Sequence, residues 1–339
     1  ASVARRQPFR TTVNNPMNIK RIIAVAVSAG LLAWLMADGR WRGLGEVFAR
    51  LDGLTLGLAA AGFGLSYLLR ALRIFDEFRT QAGGRFGSCL RITLIHNAMI
   101  NVVPFRGGEA AFPLLLRQNF GVPLPRAIAS LFWFRLQDAF VVMALAAIVW
   151  PGLHPALKAV AVVGVLLIAW WLPRWARAPH AWADGSGLTA KLAKVRDAFA
   201  ESTRHARFGW LWTVANWTVK LAAQAGLLSA LIPAAVNVGA AGALGAELAA
   251  ILPVQGVAGF GTYEAGAAAA MLPSGVALAA GLQVALALHL FVIASSVTAG
   301  AIAWLFPAAS ALETTGTAPS DIQSASSDAD GAPTRSSAE

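Results

Sequence analysis

Charged residues are scarce in this sequence: Asp, Glu, Lys and Arg make up only 13% of its 339 residues. Soluble domains carry roughly 25% of these residue types, whereas this chain is 57% hydrophobic and has a mean hydropathy of +0.60. Several long apolar runs cause this imbalance, and they predict an all-α polytopic membrane protein. The single cysteine, Cys89, excludes an intramolecular disulfide and a Cys-rich metal site.

Motifs for catalysis and cofactor binding are also missing. The five histidines are scattered and show neither HxxxH nor HExxH spacing, so no metal is expected. The sequence has no serine nucleophile elbow, P-loop or Rossmann glycine pattern, and no cofactor is predicted. Basic residues that flank membrane spans explain the net charge of +10. A nucleic-acid partner is not expected.

Composition divides the chain into three regions. Residues 1–21 are basic and contain no acid, which predicts a cytoplasmic N-terminus by the positive-inside rule. Residues 22–306 form the transmembrane domain, and the polar, aromatic-free tail at 307–339 is predicted to be disordered and cytoplasmic. About six full spans are predicted, at residues 22–37, 54–72, 126–150, 156–172, 208–231 and 276–306. Residues 190–206 are predicted to form an amphipathic helix, either on the inner membrane surface or as a solvated connector.

Two further pairs of apolar segments are too short to cross a bilayer, which needs roughly 20 residues. The first pair is broken at Pro104 and by the polar tip at residues 106–109, and the second by the Pro- and Gly-containing residues 253–264. Such pairs predict two re-entrant half-helix hairpins, entered from opposite faces as an inverted repeat. The alternative is a set of ordinary spans with soluble loops between them.

Polar residues in and beside these apolar segments are the candidate substrate-binding residues, because ionisable groups within spans are costly and face the protein interior. Arginine in particular binds a phosphodiester with two hydrogen bonds. The candidates are Asn97, Asn101, Arg106, Glu109, Arg135, Asp138, Asn216, Lys220, Tyr263 and Glu264.

Each candidate also has a structural interpretation. Glu109 and Glu264 each begin a half-helix, where an acid is favourable as a simple cap. Arg135 and Asp138 are three residues apart and face each other on a helix, so they are also suited to plain mutual pairing. Lys220 belongs to a polar stripe at three- and four-residue spacing, which is also typical of interhelical hydrogen bonding.

The chain resembles the lysylphosphatidylglycerol synthase transmembrane-region family of flippase-like proteins. The resemblance covers about residues 20–305 and rests on three motifs: Pro-Phe-Arg-Gly-Gly-Glu at 104–109, Arg-Leu-Gln-Asp at 135–138, and Gly-Phe-Gly-Thr-Tyr-Glu at 259–264 after Pro253. One departure is Ala258, where the family tends to have glycine. Another is the lack of a second proline after Pro253.

The resemblance implies a bacterial inner-membrane protein that moves a lipid between leaflets or supports that movement. Members are linked to aminoacylated phosphatidylglycerol, hopanoids and glycolipids. Only the polar tail follows the membrane region, so synthase activity of a soluble aminoacyl-transferase domain is not expected. The alternatives are a non-catalytic partner of lipid-biosynthesis enzymes and an intramembrane lipid-headgroup transferase.

The hypothesis is therefore a lipid flippase without covalent chemistry. Arg106 and Arg135 would bind the headgroup phosphate of an anionic or aminoacylated phospholipid. Glu109, Asp138 and Glu264 would balance those charges or bind a cationic headgroup. Acyl chains are expected beside the small-residue faces of residues 240–250 and 265–270.

Overall fold

The computed structural model describes residues 44–103, 107–180, 187–232, 234–251 and 257–305. All secondary structure in these ranges is helical, which confirms the all-α class. The predicted regions 1–21 and 307–339, the predicted span 22–37, and the breaks at 104–106 and 252–256 lie outside the described residues. Arg106 belongs to this group.

Twelve α-helices are described, and local sequence explains where several of them begin. Asp52 caps α2 by accepting a hydrogen bond from Thr55 N at 2.6 Å. Pro125 and Pro155 stand in the first turns of α6 and α7, where a missing N–H costs nothing. The helices are α1 Leu44–Ala49, α2 Gly53–Glu77, α3 Arg79–Ala82, α4 Phe86–Val102, α5 Ala111–Phe120, α6 Leu124–Val149, α7 Pro155–Arg177, α8 Leu188–Ser202, α9 Gly209–Leu231, α10 Val236–Ile251, α11 Thr262–Met271 and α12 Leu278–Leu305.

Four of these helices, α2, α6, α7 and α12, are long and apolar enough to cross a membrane. Helix α9 passes this test only together with α10, from which it is separated by a bend of 120°. The reason lies in its polar stripe, since Asn216, Lys220 and Gln224 lower the hydropathy of a helix that is otherwise long enough. The described residues thus contain four or five candidate spans, and the predicted total of six stays a prediction.

Both predicted short pairs form short helices that pack against each other. In the first pair α4 and α5 are joined by a 3-10 turn at Gly107–Ala110, and α5 has only 10 residues, or about 15 Å of length. Gly108 sits directly on the backbone of Met99, where a Cβ would collide with the carbonyl oxygen. The second pair, α10 and α11, is followed by another 3-10 turn at Leu272–Ser274.

The small-residue faces of α10 and α11 pack on each other rather than on lipid. A Cβ on Gly245 would lie 2.6 Å from Ala270 Cβ and would collide with the Gly266 carbonyl oxygen. Most alanines of both faces are buried. The prediction that these faces hold acyl chains is wrong, because small residues here allow two backbones to approach closely.

The hydrophobic core has three parts that surround the central helices. The largest part joins α9, α10, α11 and α12 and includes Leu228, Met271 and Leu288. The second joins α2, α4, α5 and α6 around Phe78 and Phe112. The third packs α8 and α7 against α6. Residues of both short pairs line one cavity together with residues of α2, α6 and α9.

Helix α8 confirms that most of the segment predicted at residues 190–206 is helical. Its buried face, with Phe199 and Ala200, contacts α6 and α7. Leu188, Leu192 and Val195 lie at earlier positions on the same helical face as Phe199, four and three residues apart, and they are exposed. An exposed apolar stripe of this kind is typical of a helix at a membrane surface.

Candidate functional site

A cavity of about 810 Å³ opens at the centre of the helix bundle. Its lining comes from both short pairs and from α2, α6, α9 and α12. Seven of the ten residues singled out from the sequence line it, although they come from five different elements. These residues are Asn97, Asn101, Glu109, Arg135, Asp138, Lys220 and Tyr263.

Asp138, on α6, is the centre of an arginine cluster. Its Oδ1 accepts hydrogen bonds from Arg73 Nη1 at 2.7 Å and from Trp217 Nε1 at 3.0 Å. Two more guanidinium groups face Oδ2, with Arg135 Nη1 at 3.8 Å and Arg70 Nη2 at 4.0 Å. One carboxylate is thus shared by three cations, and its residue is only 5% exposed.

Arg73 is the most deeply buried member of this cluster, with a side chain that is 4% exposed. Its Nη2 donates to the Phe134 carbonyl oxygen and to Gln137 Oε1, both at 2.8 Å. The guanidinium carbon lies 4.2 Å from the centre of the Phe134 ring, which adds a cation–π contact. Arg73 is therefore fixed as a structural cation behind the cavity wall.

Arg135 joins α6 to the turn of the first short pair. Its Nη2 donates to Glu109 Oε1 at 2.7 Å, which is shorter than its 3.8 Å approach to Asp138. The second oxygen of Glu109 lies 3.5 Å from His96 Nε2. Glu109 stands in the first turn of a 3-10 helix, so it combines the predicted helix-start position with an ion pair.

Arg70 is held in a different way from the other two arginines. Its short hydrogen bond is to a neutral acceptor, Asn97 Oδ1, at 2.8 Å. Asn101, one turn further along α4, donates to Ser296 Oγ at 2.8 Å and to the Asn97 carbonyl oxygen at 3.0 Å. Asn97 therefore positions Arg70 at the cavity surface, and Asn101 ties α4 to α12.

The second short pair supplies a separate polar network. Lys220 Nζ lies 2.7 Å from Glu247 Oε1 and 4.7 Å from the centre of the Trp217 ring. Gln224 Nε2 donates to the same Glu247 oxygen at 2.7 Å and to Tyr263 Oη at 3.0 Å. The acidic partner of Lys220 is thus Glu247, on α10.

Glu264 and Asn216 have structural roles and do not line the cavity. Glu264 Oε2 accepts from Gly261 N at 2.7 Å, which caps α11, and Oε1 lies 2.7 Å from His289 Nδ1. The His289 ring stacks on Tyr263 at 4.4 Å between centroids and does reach the cavity. Asn216 Oδ1 accepts from Ser66 Oγ at 2.6 Å, which joins α9 to α2.

The second break ends in a strained residue at the cavity. Ala258, which lines the cavity, has a φ of +54° and is the only non-glycine residue with a positive φ among those described. L-residues pay roughly 1–2 kcal/mol for this left-handed conformation. The departure from glycine noted in the sequence therefore falls at a position where glycine fits the backbone better.

The cavity also has an apolar wall that reaches the protein surface. Ile128 and Phe132 of α6 line it, and each is more than half exposed. Leu131 and Leu136 of the same helix and Ile251 of α10 complete this wall. A polar floor and an apolar side opening therefore occur in one cavity. Across the described ranges, no group of three or more His, Cys, Asp or Glu side chains is arranged to hold a metal ion.

Several residues of the site were not predicted from the sequence. The span predicted at residues 54–72 places Arg70 and Arg73 at its inner end, whereas α2 continues to Glu77. Their three-residue spacing on one helical face was the available signal. Trp217 carried no signal of its own, because it looks like an ordinary residue of an apolar helix. His289 is an ionisable residue within the predicted span at 276–306, and this was the available signal.

Comparison with known proteins identifies a family to which this sequence is similar. The sequence profile described as "Lysylphosphatidylglycerol synthase TM region" matches residues 21–300, which contain all the helices described above except the last residues of α12. No curated protein and no solved structure matches the chain. The chain is a multi-pass membrane protein, and it belongs to the lysylphosphatidylglycerol synthase transmembrane-region family.

Proposed function

We propose that this protein is a lipid flippase, which moves a phospholipid or a related lipid between the two leaflets of the membrane. The carrying observation is that one cavity combines a floor of buried charged residues with an apolar wall open to the surface. A lipid has the same two parts, a polar headgroup and acyl chains. The family supports a role in lipid modification or transport.

The physical barrier to lipid movement is the transfer of a charged headgroup through about 30 Å of hydrocarbon. Arg70, Arg135 and Lys220 at the cavity surface replace part of the hydration that the headgroup loses. The volume of about 810 Å³ lies within the roughly 300–1,000 Å³ of ligand pockets. Acyl chains would remain outside, along Ile128 and Phe132 of α6.

We further propose that the two short helix pairs are re-entrant hairpins related as an inverted repeat. Their lengths support this, because α5 and α11 have 10 residues each, too few to span a bilayer. Both pairs also contribute to the same cavity. In this arrangement the protein lies in the bacterial inner membrane with both termini in the cytoplasm, as the basic loops of the sequence favour.

The proposed activity makes and breaks no covalent bond. In support, each carboxylate of the cavity that the structure describes has a cation or a hydrogen-bond donor at 2.7 Å, so it is poorly placed to act as a general base. Lipid recovered after transport should have an unchanged mass by mass spectrometry. A modified headgroup would instead indicate a transferase.

Purified protein in liposomes tests the proposal. A lipid with a fluorescent acyl chain is added to both leaflets, and a membrane-impermeant reductant bleaches only the outer one. Transport appears as loss of the protected inner half. Arg135→Gln should slow transport at least about tenfold, because loss of a charge-assisted bond in a desolvated site is worth about 1.5–3 kcal/mol.

The matched control is Arg117→Gln, since Arg117 is an exposed residue of α5. Its rate should equal that of the unchanged protein. Equal rates for protein-containing and protein-free liposomes, with every labelled lipid, would refute the proposed function. Equal transport rates for the Arg135 and Arg117 variants would show that transport does not take place through the cavity.

A further inference from the structure

Some charged groups of the cavity have a close partner of opposite charge and others do not. This difference indicates which kind of lipid headgroup the cavity accepts. Each carboxylate of the two networks has a close partner: Glu109 with Arg135, Asp138 with Arg73 and Glu247 with Lys220, all at 2.7 Å. Glu264 is likewise paired, with His289 at 2.7 Å. These pairings use all four acids that the described helices bring to the site.

Arg70 is the exception among the cations. Its nearest carboxylate oxygen, Asp138 Oδ2, is 4.0 Å away, and that carboxylate already accepts a 2.7 Å bond from Arg73. The one short hydrogen bond of Arg70 within the described ranges goes to a neutral amide, Asn97 Oδ1. Its side chain lines the cavity and is 23% exposed. Among the residues that the structure describes, three guanidinium groups therefore share two carboxylates in this half of the site, and Arg70 has no acid of its own.

An incoming phosphate suits this arrangement. Arginine presents several N–H donors in a planar fork that matches two oxygens of a phosphodiester. Arg135, with a side chain that is 33% exposed, faces the same Asp138 oxygen as Arg70. A phosphate at this place would therefore meet two guanidinium groups at once.

An incoming ammonium group would be repelled by the cations of the cavity. Beside Asp138 it would face three arginines, and beside Glu247 it would face Lys220. The second oxygen of Glu109 is buried and faces His96 Nε2 at 3.5 Å, so the cavity does not present it. Like charges placed together in an interface cost several kcal/mol.

We infer that Arg70 is the phosphate-binding residue of the cavity, and that the transported lipid has an anionic phosphate headgroup without an ammonium group. This inference rests on the proposed flippase function and narrows its substrate class. It separates this chain from a carrier of aminoacylated lipid, whose headgroup bears added positive charge. Arg70 acts here as a specificity-determining residue, positioned by Asn97.

The test compares three lipids with the same fluorescent acyl chain: phosphatidylglycerol, lysyl-phosphatidylglycerol and phosphatidylcholine. Each is present in trace amount in phosphatidylcholine liposomes that contain the purified protein. Phosphatidylglycerol should move at least about tenfold faster than the other two, since tenfold corresponds to only about 1.4 kcal/mol. This comparison needs no variant and therefore does not depend on the folding of one.

Arg70→Gln should lower the phosphatidylglycerol rate by about tenfold and leave the two slower rates nearly unchanged. The control Arg79→Gln, at an exposed residue of α3, should keep the full preference. Soluble glycerophosphoglycerol at the concentration of the labelled lipid should not slow transport. Inhibition by that compound would show that the site takes a free anion rather than a lipid, and would overturn the inference.

The outcomes separate the two proposals. If no lipid moves faster than in protein-free liposomes, the flippase function itself fails. If lysyl-phosphatidylglycerol or phosphatidylcholine moves as fast as phosphatidylglycerol, transport stands and the inferred substrate class is wrong. If Arg70→Gln slows all three lipids equally, Arg70 has a structural role and does not select the headgroup.

Discussion

Replacing Asp138 by asparagine removes one negative charge from a site that three arginines share. Arg73 loses its 2.7 Å ion pair and, with a side chain that is 4% exposed, has no access to water. Its other bonds are to neutral oxygens of Phe134 and Gln137. Asparagine retains an oxygen for the Trp217 N–H, so the change is chiefly one of charge.

Breaking a buried ion pair by removing one partner typically costs 3–5 kcal/mol. We expect Asp138→Asn to lower the free energy of unfolding by about that amount, because the remaining cation is deeply buried. Titration of the detergent-solubilised protein with SDS, followed by tryptophan fluorescence, measures this change. The double variant Arg73→Met with Asp138→Asn should be more stable than Asp138→Asn alone, since the uncompensated charge is gone.

Asp197→Asn is the matched control. Asp197 also pairs with an arginine, Arg196, but its side chain is 61% exposed, and exposed pairs contribute about 0–1 kcal/mol. The control should therefore be nearly as stable as the unchanged protein. If Asp138→Asn were equally mild, or if removal of Arg73 gave no rescue, the arginine cluster would not depend on Asp138 for charge balance.

Two further predictions concern backbone geometry. Gly245→Leu should prevent correct packing of α10 on α11, because even a Cβ would meet the Gly266 backbone and Ala270, and size-exclusion chromatography should show aggregation. The control is Gly164→Ala in α7, which has open space around it. This variant should be more stable by up to about 1 kcal/mol, because alanine has a higher helix propensity than glycine. Ala258→Gly should raise the free energy of unfolding by up to about 1 kcal/mol, because glycine adopts the φ of +54° without steric cost; an SDS midpoint at or below that of the unchanged protein would contradict the strain.

Local properties of the sequence were enough to predict the helical class and the positions of most helices. Predicted spans at 126–150 and 156–172 correspond to α6 and α7, since apolar length and a proline near each helix start act within a few turns of chain. The shortness of α5 and α11 was predicted from the sequence in the same way. The end of α2 was not predicted, because Arg70 and Arg73 look like the basic edge of a span when their partners are unknown.

The amino-acid sequence by itself determined that this chain is a helical membrane protein with costly polar residues inside apolar helices. Only the tertiary structure decided how those residues pair: Arg135 with Glu109, Lys220 with Glu247, and Arg73 with Asp138. The physical reason is that these partners are brought together by helix packing, which depends on crossing angles and on contacts such as Gly245 on Gly266. Periodicity indicates the face of a helix on which a charge lies, whereas packing decides which charge it meets.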